Sequence, residues 1–113
     1  MPVDNFKILD QVQLSDSATT IYGAVPANHE TIIKTINVVN NHSSAVTVIL
    51  YIADGATTTT EATTILPSVS MAAGSFALFE GTITLEVGDY IRGTAGTADK
   101  ITVTVFGDEI DVS

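Results

Sequence analysis

Ala45-Val46-Thr47-Val48-Ile49-Leu50-Tyr51-Ile52 is the stretch on which the fold turns. Its even positions, Val46, Val48, Leu50 and Ile52, are all aliphatic, whereas its odd positions mix Thr47 with Ile49 and Tyr51. In a strand these two sets point to opposite faces. The even set should therefore face a core and the odd set should be half-exposed. Branching at Cβ restricts χ1 and suits the residues to a pleated surface.

The same pattern recurs outward from this segment. Ile101-Thr102-Val103-Thr104-Val105 and Thr82-Ile83-Thr84-Leu85-Glu86-Val87 alternate cleanly, threonine out and aliphatic in. Thr31-Ile32-Ile33-Lys34-Thr35-Ile36-Asn37-Val38-Val39 reads as a longer strand with Ile32, Ile36 and Val38 on one side. Shorter strands are expected over 6–14, 19–25, 68–72, 75–80 and 89–93. Turn chemistry separates them at Pro26-Ala27-Asn28, Ala73-Gly74, Val87-Gly88-Asp89 and Ala95-Gly96. Asn40-Asn41-His42-Ser43-Ser44 is a hairpin candidate. Short strands at intervals of roughly 8 to 12 residues predict an all-β, antiparallel two-sheet sandwich. Jelly-roll-like winding is the first choice and an immunoglobulin-like sandwich the alternative. The expected core is Val46, Val48, Leu50, Ile52, Ile83, Leu85, Val103 and Val105.

At 113 residues the chain is one domain by size. Residues 1–17 read as an N-terminal arm or edge strand, and 18–113 as a single sandwich domain. The threonine-rich segment 54–64 reads as a long loop, with or without an edge strand.

Thirteen acids face four bases, for a formal charge of −9. Such a surface repels nucleic acid and anionic membranes, so neither is an expected partner. Charged residues make up only 15% of the chain, against about 25% in ordinary soluble domains. Mean hydropathy is +0.36. No apolar run approaches the ~18 residues of a membrane-spanning helix, and no basic, then apolar, leader opens the sequence. Threonine, alanine, serine and valine replace the missing charge, which suits a subunit covered by neighbours.

Few residues suggest chemistry. His29 and His42 sit in expected turns without metal-ligand spacing, and there is no cysteine. No Gly-x-Ser-x-Gly elbow or phosphate-binding glycine loop is present. Asp108, Glu109 and Asp111, and the pair Asp54 and Glu61, have oxygen ligands that calcium favours, but lack a calcium-loop pattern. Glu80 and Glu86 flank a strand without the aromatic platform of a glycosidase. Asn41-His42-Ser43 matches the short glycosylation pattern, which has meaning only in a eukaryotic secretory pathway. The expectation is a non-enzyme with no cofactor, no catalytic residue and no metal site.

The second strand faces remain apolar at Ile33, Val39, Ile49, Tyr51 and Phe79. A sandwich needs only one apolar face per sheet. These five, with Phe6 and Ile8 of the N-terminal segment, are the candidate interface, and a homo-oligomer, a trimer first, is expected.

The run from Tyr22-Gly23-Ala24-Val25-Pro26 through Lys34-Thr35-Ile36-Asn37-Val38-Val39-Asn40, then Ala45 to Ile52, resembles small β-sandwich virion proteins of tailed bacteriophages. So do Leu85-Glu86-Val87-Gly88-Asp89-Tyr90-Ile91-Arg92-Gly93 and Val103-Thr104-Val105-Phe106-Gly107-Asp108-Glu109-Ile110. The resemblance covers residues 20 to 110. It implies a structural subunit on the outer capsid surface or tail, first a capsid cement or decoration protein touching the major capsid protein. A tail, neck or fibre-associated subunit touching tail proteins comes second. A host-receptor or glycan-binding module is the alternative from another class.

Overall fold

The computed structural model describes residues 7–53 and 64–112. Among them eight strands form: β1 (Lys7–Gln13), β2 (Thr19–Tyr22), β3 (His29–Asn40), β4 (Val46–Ala53), β5 (Thr64–Met71), β6 (Phe76–Leu85), β7 (Tyr90–Ala95) and β8 (Ile101–Asp111). One sheet has the order β1-β8-β3-β6 and the other β2-β7-β4-β5, with antiparallel pairing throughout. The first strand thus pairs with the last, the second with the seventh, the third with the sixth and the fourth with the fifth. A double ribbon folded back and rolled up gives this order, which is jelly-roll winding and not the immunoglobulin arrangement.

The core between the sheets follows the alternation of the strands. Val46, Val48, Leu50, Leu85, Val103 and Val105 are buried, while Ile52 and Ile83 are half-buried and packed against them. Leu14, Ile21, Val25, Ile36, Val38, Ile91 and Ile101 belong to the same cluster.

The alternation breaks where the first sheet bends. Between Ile33 and Thr35 the register with β8 slips, so Lys34 is an extra residue in β3. That bulge reverses the phase of the strand. Ile33 is consequently buried with Ile36 and Val38, and Ile32 turns to the outer face opposite Asp108. Both reverse the sequence expectation. β1 bulges beside it at Leu9, and β6 carries an extra residue near Gly81. The irregularities form a line across the whole sheet. Gly107 sits on that line, and a Cβ there would lie 2.1 Å from the Ile32 carbonyl oxygen. Only glycine lets β3 and β8 approach at this point.

Two further expectations need correction. The segment 40–44 is not a hairpin, because β3 and β4 lie in different sheets and the turn crosses between them. Residues 75–80 and 82–87, expected as two strands, fall largely in the single bulged β6 of residues 76–85.

Two polar devices lock the sheets together. Asn40, fully buried, aims its side-chain Nδ2 at the carbonyls of Ser44, Met71 and Ala72 at 3.0–3.1 Å. Its Oδ1 accepts the His42 N–H at 2.9 Å. The β3–β4 crossing is so tied to the β5–β6 turn. At the other end, the Tyr22 hydroxyl on β2 lies 2.7 Å from Thr31 Oγ1 on β3 and donates to the Glu109 carboxylate on β8.

Candidate interaction surface

Cross-strand rows on the outer face of the first sheet are set by register. Val39 lies between Thr102 and Phe76, and Asn37 between Thr104 and Leu78. Thr35 lies between Phe106 and Glu80, and Ile8 is opposite Phe106. Apolar side chains therefore collect on one surface: Phe76 is 68% exposed, Ile8 58% and Leu78 51%. Val39 and Phe106 are half-buried between them. β6 is an edge of this sheet and β5 an edge of the other. A four-residue turn joins them, and Ile65 and Val69 of β5 are also exposed.

The expected interface residues do not form one patch. Ile8 and Val39 lie on this surface. Ile49 and Tyr51, opposite Thr94 and Arg92, are half-buried on the outer face of the second sheet. Ile33 belongs to the core. Phe79 pairs with Ile36, so it points along the core-facing side but stays 37% exposed because β6 has no further neighbour among the described strands. Phe6 lies outside the described residues. Phe76 and Leu78, the most prominent part of the surface, were missed. The absence of any charged residue over 62–79, in a chain of charge −9, was the available signal.

The titratable groups singled out in the sequence are dispersed. Along β8, Asp108 turns outward with Ile32, while Glu109 turns toward Tyr22. Burial first, and then the hydrogen bond to Glu109, push Tyr22 up to about 12, so its hydroxyl stays neutral and donates. Glu80 and Glu86 lie at the bulge and beyond the far end of β6. His29 Nδ1 is 2.8 Å from the Ala27 carbonyl oxygen. Among the described residues, no three His, Asp or Glu side chains are placed to hold a metal. Asp54 and Glu61 lie outside the described residues. A depression of about 60 Å³ opens beside the β6 bulge, lined by Ile33, Lys34, Phe79 and Ile83. A wider, open one of about 310 Å³ lies at the end of the sandwich, between Asn28, His29, Glu30, Glu86, Val87 and Val112. Arg92 is held on the second sheet by its contacts to Thr20 Oγ1 and the Ala18 carbonyl.

No protein-family model matches the chain, and no curated protein matches it by sequence. The chain is similar in fold to a solved structure of Bacillus endospore appendages, a family of disulfide-linked pili. The TM-score is 0.50 and the identity 18%, over 98% of this chain and 88% of that one. A looser likeness, with a TM-score of 0.36 and 18% identity, links it to a pentameric capsid protein isolated from metagenomic phage sequences. It covers 96% of this chain and 63% of that one, and carries no argument. The first likeness bears on fold alone.

Proposed function

We propose that the chain is a non-enzymatic structural subunit of a larger particle, and within that class a capsid cement or decoration protein of a phage virion. The observation that carries this reading is the apolar outer face of the first sheet, with Phe76, Leu78 and Ile8 in water. A chain of charge −9 that is only 15% charged stays soluble by net repulsion and keeps one face uncharged for contact. Threonine rows between the apolar residues pack against a neighbour with little loss of rotamer freedom. The buried polar groups support a scaffold, since Asn40 and Tyr22 spend their hydrogen bonds on tying the sheets together.

A cement protein binds only the assembled lattice and stabilises it by mass action. Contact with the major capsid protein and self-association belong to this reading, as does a place on the outer surface of the virion. The likeness in fold to a pilus structure favours a second reading, a tail- or fibre-associated subunit. With no cysteine, this sequence would join such a filament without disulfides. Cosedimentation of the purified chain with capsids stripped of minor proteins, and with isolated tails, tests both. Saturable binding to capsids with a raised capsid melting temperature is expected. Binding to tails alone selects the second reading, and binding to neither overturns both.

A further inference from the structure

We propose that the chain pairs with a second copy of itself, antiparallel, along the open edge of β6 at residues 76–79. The inference rests on the self-association in the functional reading, and adds the edge, the symmetry and the register.

An open strand edge invites pairing with another strand, and proteins blunt the edges they must keep single. Three of the four edges here are blunted. β1 carries Lys7, Asp10 and a bulge at Leu9. β2 has only four residues and a register shift. β5 contains Pro67, which has no N–H to give, and two register shifts. β6 is ten residues long and its extra residue lies near Gly81, so residues 76–79 stand clear of any proline or register shift. They pair residue for residue with 36–39 of β3, carry no charge, and expose Phe76 and Leu78.

The direction of the free backbone groups is set. The Asn40 N–H donates to the Ser75 carbonyl at 2.9 Å, so Ser75 faces β3. Alternation turns Ala77 and Phe79 the same way, and leaves the N–H and C=O of Phe76 and Leu78 aimed at the open edge. A two-fold axis perpendicular to the sheet matches outer face to outer face only when residues of like phase oppose one another. Centred on Ala77, it sets Phe76 against the partner's Leu78 in a hydrogen-bonded pair, and Ala77 against the partner's Ala77 in a non-hydrogen-bonded pair. Centred on Leu78, it would set Phe76 against the partner's Glu80. The first register joins apolar residues and the second opposes a ring to a carboxylate.

The occupant is a second copy because the edge is self-complementary about Ala77, and charge does not oppose the contact there. Two chains of charge −9 repel wherever carboxylates face each other, and the 62–79 segment is free of them. An isologous contact also closes after two copies, so the edge is consumed and no fibre grows.

The chain has no cysteine, so single cysteines report the register cleanly. Non-hydrogen-bonded pairs bring Cα atoms to about 4.5 Å, within disulfide reach. Ala77→Cys should cross-link as a dimer under mild oxidation, and Leu78→Cys should not. The residue 78 N–H points outward, so Leu78→Pro should leave the fold intact and sediment as a monomer. Leu78→Lys is the second variant, expected to be monomeric with an unchanged circular dichroism spectrum. A monomeric or trimeric wild type, no cross-link at residue 77, or folded Leu78→Lys that still dimerises overturns the proposal. A monomeric wild type that binds capsids removes this inference and leaves the cement reading standing.

Discussion

Asn40→Ala tests whether one buried amide holds the two sheets in their relative position. The Asn40 Nδ2 has two hydrogens shared among three carbonyls, and the Oδ1 holds the His42 N–H. The Ala72 carbonyl keeps partners after truncation, because the Ser75 N–H and Oγ also reach it. The Ser44 carbonyl lies on an exposed turn and can be hydrated. The Met71 carbonyl and His42 N–H remain, each costing about 1–3 kcal/mol if left unpaired. Truncation should therefore cost about 2–6 kcal/mol, a large share of the roughly 5–15 kcal/mol that stabilises a domain. Asn40→Asp sharpens the test. It keeps an acceptor for His42 but aims a carboxylate oxygen at carbonyls. It should be worse than alanine at pH 7 and recover as pH falls. The native state raises this carboxyl's pKa, binds the proton more tightly than the unfolded chain, and gains stability on protonation. Urea denaturation followed by circular dichroism at pH 7 and pH 4 measures both variants. An Asn40→Ala cost below about 1 kcal/mol, or an aspartate more stable than the alanine at pH 7, would refute the reasoning.

Leu50→Ala should cost about 2–5 kcal/mol in the same denaturation assay, since Leu50 is 1% exposed at the centre of the core. Gly107→Ala should prevent folding or cut stability far more than Gly74→Ala, as judged by melting temperature. The first Cβ strikes the Ile32 backbone, whereas the second meets nothing within 4 Å and costs only its φ of +66°. Stability should decline as pH rises from 10 toward about 12, because the unfolded chain loses the Tyr22 proton first while the folded state holds it. Tyr22→Phe should flatten that part of the profile in urea titrations at graded pH.

Much of the sandwich was legible in the chain because a strand's period is local. Val46, Val48 and Leu50 show their inward phase in the sequence, and residue-level alternation places them without knowledge of any partner strand. The turn at Gly88-Asp89 was legible for the same reason, from backbone chemistry confined to a few residues. Ile33 was not, because its phase depends on the extra residue at Lys34, and bulges are set by how β1, β8, β3 and β6 bend together. Phe79 shares the inward phase of Ile83 and Leu85, which shows only once 75–80 and 82–87 are joined in one strand. The segment 40–44 looked like a hairpin because turn residues signal reversal, but not the sheet into which the chain returns. Ile8, Val39, Phe76 and Leu78 stand far apart in sequence and meet only through register. Composition thus determined that apolar surface would be left over, and alternation determined which residues would fill the core. Only the pairing of strands distant in sequence decided where the surplus lies and which edge stays open, because backbone hydrogen bonds between strands carry no local sequence signature.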